Sequence, residues 1–234
     1  MRLPPGFFVT GTGTGVGKSL VACGLAYALR HAGKRVAAIK PFETGVSERA
    51  DDAHALAQAC ALPHLADAPG LYRATMPAAP YAAMLAGEAA PPTPAQMLTT
   101  LADLCHDVEC CIIEGAGGLL VPLDAEHSIA DCIQHLQLPC VVVARNELGV
   151  LSHVLSLVEV ARARGIEVAA VILSGASPAD IAQDPSVQSN ARVLRHFLDP
   201  IPVDELPFLA DPTPDQVAPR LQSLACLQAL LDTL

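Results

Sequence analysis

The run Thr10-Gly11-Thr12-Gly13-Thr14-Gly15-Val16-Gly17-Lys18-Ser19 combines the residue types that a nucleotide triphosphate needs. Glycines let the backbone wrap around phosphate with its N–H groups turned inward. Lys18 is placed to neutralise the outer phosphates, and the Ser19 hydroxyl suits magnesium. The apolar Phe7-Phe8-Val9 precedes the run and a helical segment, Leu20 to Leu29, follows it. Strand, loop and helix N-terminus therefore stand in the order that the chemistry requires, and that N-terminus is worth about 0.3–1 kcal/mol to a nearby anion. The general phosphate-loop pattern puts four residues between its first glycine and the Gly-Lys pair. Here Thr12 holds that first position and Gly11 stands one residue early.

Three further features fall near the ends of apolar runs. Lys40, followed by Pro41-Phe42-Glu43-Thr44-Gly45, ends such a run beside the glycine loop. It is expected to meet phosphate, the alternative being a solvated terminal lysine. Asp51 and Asp52 open a helix; Asp51 reads as an N-cap and Asp52 as a residue that can reach a metal. Glu114 sits in Ile113-Glu114-Gly115-Ala116-Gly117-Gly118, and burying its carboxylate is costly unless it binds something. Magnesium prefers a few carboxylate or hydroxyl oxygens completed by phosphate and water, which Ser19, Asp52 and Glu114 can supply. The competing reading pairs Glu114 with a lysine structurally. A fourth feature is the helix start Asn146 to His153, whose free N–H groups can hold a carboxylate. His153 reads as packing or capping.

Apolar runs at Phe7–Thr10, Arg35–Ile39, Cys110–Ile113, Cys140–Ala144, Val168–Leu173 and Ile201–Val203 predict strands. Helical patterns run near Ala53–Ala61, Pro94–His106, Ser128–Leu136, Leu151–Arg164, Val187–Phe197 and Gln216–Leu231, with Gly33 and Gly165 as stop signals. The strands are near-continuous apolar runs, which marks a parallel sheet buried on both faces. The expected fold is α/β, a doubly wound, mostly parallel sheet with helices on both faces, of the P-loop NTPase type. One domain over residues 1–234 is expected, and ligands should bind beyond the strands' carboxyl ends. Met76 to Pro94 is the most loop-like stretch.

The chain is 52% hydrophobic but only 3% aromatic, so its core must be aliphatic. A formal net charge of −10 argues against nucleic acid or an anionic membrane as partner. No apolar run is long enough to span a bilayer, and the N-terminal apolar stretch reads as a strand, not a signal peptide. The eight cysteines contain no CxxC pair and read as small core hydrophobes in a reducing cytoplasm.

Taken together, VTGTGTGVGKS, IKPFETG, ADDAHAL, IIEGAGGLLVPL, LGVLSH and IPVDELPFL resemble the dethiobiotin synthetase family from Phe7 to about Leu209. The long-spaced phosphate loop is itself typical of that family. The resemblance implies an ATP- and Mg2+-dependent cytoplasmic homodimer in biotin biosynthesis. It would carboxylate 7,8-diaminopelargonate with CO2 or bicarbonate and close the ureido ring through a phosphorylated carbamate. Carried over by position, Thr14, Lys18 and Lys40 become the catalytic contacts. Gly13, Thr14, Gly15, Val16, Gly17, Lys18, Ser19, Glu114, Gly117 and Ser174 become the nucleotide site. Ser19, Asp52 and Glu114 form the magnesium set. Thr44, Pro77, Pro80 and Tyr81, with Gly149, Val150 and Ser152 of the second subunit, become the substrate site. The chain departs from the family at Gly13 and Gly15, where acidic residues are common, and at Ser152 and Ser174, where asparagine is frequent.

The rival reading is a nucleotide-gated switch ATPase of the partitioning or site-selection type. Such proteins carry an extra lysine near where Gly13 stands and use basic or amphipathic surfaces, neither of which this acidic chain suggests. A related amide ligase of the cobyrinate type would need a glutaminase domain beyond these 234 residues.

Overall fold

A computed structural model describes residues 2–210 and 212–233. In chain order the elements are β1 (Gly6–Gly11), α1 (Lys18–His31), β2 (Val36–Ile39), β3 (Phe42–Thr44), α2 (Asp51–Ala59), β4 (Tyr72–Ala74), α3 (Pro80–Leu85), α4 (Pro94–Leu104) and β5 (Cys110–Gly118). They continue with α5 (Ile129–Leu136), β6 (Cys140–Arg145), α6 (Val150–Ala163), β7 (Val168–Ser174), α7 (Pro178–Gln183), α8 (Val187–Leu198), β8 (Val203–Leu206), α9 (Pro214–Leu221) and α10 (Ala225–Thr233).

The main sheet has the order β2-β5-β1-β6-β7-β8, and every neighbouring pair is parallel. All six residues of β1 are buried, which explains why its sequence does not alternate. Successive residues of β6 serve opposite faces. Val141 and Val143 join the large core cluster with Leu25, Leu56 and Ile133, while Val142 and Ala144 join Val154, Val158 and Leu194 under α6 and α8. Helices thus cover both faces, as expected. From β1 the chain first steps to one side of the sheet and later, through β6 to β8, to the other. The crevice beside such a reversal is where ligands of open α/β sheets bind.

Several boundaries differ from the sequence reading. Arg35 precedes β2. The last strand is Val203–Leu206 and not Ile201–Val203, because Pro202 lacks an amide N–H and Ile201 donates to Leu198. The helix expected over Gln216–Leu231 is two helices. The chain turns at residues 222–224, where Leu224 N–H bonds to the Leu221 carbonyl and Ser223 Oγ donates to the Arg220 carbonyl. The loop-like stretch from Met76 contains α3, which opens with proline at its first position. A second, two-stranded parallel sheet, β3 with β4, was invisible to periodicity because each strand is only three residues long. Gly33 and Gly165 do take the left-handed conformation at helix ends, with φ of 82° and 67°.

The described thiols are buried and free, and burial pushes those of Cys23, Cys110, Cys132 and Cys140 up to about 12. They are core residues, as read. The side chain of Cys226 lies outside the described residues. Among the described residues no helix is long and apolar enough to cross a membrane.

Candidate active site

The carboxyl ends of β1 and β2, together with β5, open into a cavity of about 450 Å³. Its lining includes Thr14, Gly15, Gly17, Lys18, Ser19, Lys40, Thr44, Asp52, Glu114 and Gly117, so residues from four separate stretches of sequence converge there. Gly17 stands at the N-cap of α1 with φ 96°, a conformation that strains any residue with a side chain. No side chain caps α1, and no acidic residue occupies its first turn. Its first amides are therefore left for a ligand. Lys18, the first helical residue, folds back over the loop and donates to the Gly13 carbonyl at 2.6 Å.

Glu114 differs from expectation in one respect. It does not end its strand: β5 runs on to Gly118, and Glu114 lies opposite Val9 in the middle of the sheet. Its side chain is fully buried. Oε1 accepts from Ser19 Oγ at 2.9 Å and from Lys40 Nζ at 2.9 Å, and Lys40 Nζ also donates to Asp52 Oδ2. The structural pairing of Glu114 with a lysine and its convergence with Ser19 and Asp52 are thus both present.

Burial lowers the proton affinity of Lys18, and the nearby Lys40 charge adds to that, against the pull of Glu114. For Lys40, burial acts in the same direction but the charges of Glu114 and Asp52 outweigh it, holding the ammonium above its ordinary range. Burial raises Glu114, and Lys40 only partly offsets that. Burial would raise Asp52 too, yet Lys40 and its hydrogen bond hold that carboxyl below its usual value.

Among the described residues no three His, Cys, Asp or Glu side chains form a group that could hold a metal. Two carboxylates and one hydroxyl suit a magnesium ion that keeps water and phosphate oxygens in its shell. Glu114 Oε2 is buried without a hydrogen-bond partner, so the donor set fits a further cation.

The remaining predicted residues lie outside the lining of this cavity. Ser174 ends β7 beside Gly17 and lines a neighbouring cavity of about 200 Å³ with Gly15, Val16, Arg145, Pro207 and Phe208. Pro77 lies against Gly45, next to Thr44. The Pro80 carbonyl accepts from the Tyr72 hydroxyl at 3.5 Å, and Tyr81 donates its amide to Pro122. None of Gly149, Val150 and Ser152 lines this cavity in its own chain. Val150 is in the core and its N–H is taken by the Glu147 carbonyl, whereas Ser152 is exposed. His153 is exposed and lines, with Gly13, Thr14, residues 117–122 and other residues of α6, an apolar groove of about 550 Å³. Sequence reasoning missed Glu43, which is buried in the cavity wall; its signal was the charged residue inside IKPFETG.

A family model described as an AAA domain matches residues 5–215. Among curated relatives, the ATP-dependent dethiobiotin synthetase BioD of Anaeromyxobacter dehalogenans (strain 2CP-C) is 37% identical over 225 residues, which is 96% of this chain and 97% of that protein. The protein of the same name from Bacillus subtilis (strain 168) is 32% identical over 233 residues, 97% of each chain. Of solved structures, MinD–MinC of Aquifex aeolicus (described as a cell division protein complex) superposes with a TM-score of 0.56 at 14% identity, covering 98% of this chain and 93% of that one. A ParA family ATPase from Chlorobium tepidum TLS gives 0.53 at 16% identity, covering 97% and 98%. Those two share the fold alone. With that fold, a cavity built around Lys18, Lys40 and Glu114, and relatives matching along nearly the whole sequence, the chain belongs to the ATP-dependent dethiobiotin synthetase family.

Proposed function

We propose that this chain binds 7,8-diaminopelargonate, carboxylates one of its amines with CO2, and closes the ureido ring at the expense of ATP. The observation that carries this reading is the convergence of Lys18, Lys40, Ser19, Asp52 and Glu114 on one cavity, with the Thr44 hydroxyl in its wall. In the reaction, an amine and CO2 give a carbamate, and a carbamate oxygen attacks the terminal phosphorus as ADP leaves. The second amine then attacks the carbamate carbon, and the bond to the phosphorylated oxygen breaks to release phosphate.

The physical difficulty is bringing an anion to a polyanion. Lys18 and Lys40 supply fixed positive charge at the transferred group, in a site where charges act more strongly than in water. Thr14 and the amides of α1 steady the phosphates, and Thr44 orients the carbamate. Ser19, Asp52 and Glu114 would hold the magnesium ion, which neutralises phosphate charge. Ser174 and its neighbouring cavity take the base side of the nucleotide, and Pro77 to Tyr81 flank the aliphatic chain. The α6 start of a second copy, through Gly149 and Ser152, receives the substrate carboxylate, so the active form is a homodimer. Purified protein should consume ATP only when diamine and CO2 are both supplied. Glu114→Gln should shift the magnesium titration of that activity to at least about tenfold higher concentration. ATP consumption indifferent to the diamine would contradict the proposal.

A shared site also has an arithmetic consequence. Lys18→Ala and Ser152→Trp should each inactivate the homodimer. Mixed in equal amounts and allowed to exchange, half the dimers are heterodimers with one intact site, so about a quarter of the native activity should return. No recovery in verified heterodimers would remove the second copy from the site.

A further inference from the structure

The first amides of α2 are capped in an unusual way. The N-cap residue Ala50 has no side chain that can accept a hydrogen bond. The acceptor comes instead from Glu43 on β3: Oε1 accepts from Asp52 N–H and Oε2 from Ala53 N–H, each at 3.0 Å. Both carboxylate oxygens are thereby engaged with backbone, although Glu43 lies in the cavity wall and is only 7% exposed. A serine or aspartate at position 50 would satisfy the same amides without reference to β3. The cap used here ties the residue that carries the Asp52 side chain to a strand that starts two positions after Lys40.

The other half of the small sheet grips Lys40. Arg73 is the register partner of Glu43 on β4. Its guanidinium donates Nη1 to the Lys40 carbonyl at 3.0 Å and Nη2 to the Ala66 carbonyl at 3.2 Å. One pair of opposed residues therefore fixes the backbone at both ends of the Lys40–Asp52 ion pair.

We propose that Glu43 is a positioning residue that sets Asp52 for the magnesium ion, with the β3–β4 sheet as its support. This rests on the reading of Asp52 as a magnesium ligand, and the test separates the two. Manganese is the spectroscopic probe. Its affinity for the protein bound to a non-hydrolysable ATP analogue is read by electron paramagnetic resonance. Analogue affinity without metal is read by calorimetry.

Loss of an outer partner of a metal ligand typically weakens metal binding 10–100-fold, so Glu43→Ala should weaken manganese about tenfold or more. Metal-free analogue affinity should stay within about twofold, because phosphate contacts are untouched. Glu43→Gln, with one amide oxygen for two N–H groups, should fall between, and it carries the test by the same criteria if Glu43→Ala does not fold. Asp52→Asn is the control. If Asp52→Asn loses manganese while the Glu43 variants keep it, Glu43 is only a structural cap and the proposal is overturned. Equal weakening of metal-free analogue and manganese would mean general distortion and would overturn it too. If Asp52→Asn itself binds manganese normally, the metal reading of Asp52 fails and the proposal falls with it.

Discussion

Lys18→Ala is expected to lower kcat/KM by about 10²–10⁴-fold. Each charge-assisted hydrogen bond lost is worth about 1.5–3 kcal/mol, and in the proposed role the ammonium would donate two or more to the transferred phosphate. Most of the loss should appear in kcat, because the lysine's charge is most needed where negative charge accumulates during transfer. Stability should barely change: the described contact that the Lys18 ammonium makes with protein is the Gly13 carbonyl, and its burial already disfavours the charged form. Steady-state kinetics at saturating magnesium checks the first point and a thermal melt the second. Native turnover in Lys18→Ala would remove the glycine loop from the chemistry.

Lys40→Met should damage both activity and fold. It leaves Glu114, fully buried, with only Ser19 as partner to one oxygen. Removing one member of a buried pair costs about 3–5 kcal/mol. For a chain of this size that corresponds to a fall in Tm of about 6–20 °C. The pH dependence follows from the sign of the Glu114 shift. Its folded pKa lies above the ordinary value, so its favourable contribution exists at low pH and is lost as pH rises through the folded value. Without Lys40 that shift grows, so the Tm deficit should be larger at pH 8 than at pH 5. Lys40→Met combined with Glu114→Gln should recover stability but not turnover. An unchanged melting temperature in Lys40→Met would contradict the pairing.

Much of this site could be read before any coordinates. Lys18 and Ser19 are fixed by covalent adjacency to the glycine loop, and Lys40 by its place after a buried run, so their convergence follows from parallel-sheet topology. Glu114 was legible because an acid inside an apolar run is expensive and therefore informative. Its true position, mid-strand, was obscured because glycines read as a turn; here Gly115 to Gly118 continue β5 past the phosphate loop. What Glu43 and Arg73 do was not legible, although Glu43 stood out as a charge inside IKPFETG. Their roles come from the pairing of two three-residue strands and from a cap supplied across sequence, and neither leaves a periodic trace. The break between α9 and α10 was likewise hidden, since the apolar pattern continues across the turn. The same fold serves the ParA family ATPase and the MinC–MinD complex, so topology alone could not decide between the two functional readings. The relatives that match along the whole chain decide that question, and Gly13 and the −10 charge agree with them.

The most direct test follows oxygen. CO2 labelled with 18O is given to the protein with ATP, magnesium and 7,8-diaminopelargonate, and both products are weighed by mass spectrometry. If a carbamate oxygen attacks phosphorus in the Lys18–Lys40 cavity, one labelled oxygen appears in the released phosphate and one in the ureido carbonyl of the ring product. Ring product that carries 18O in its ureido carbonyl but is formed with unlabelled phosphate would show that no carbamate oxygen is phosphorylated, and the account of this pocket would be wrong.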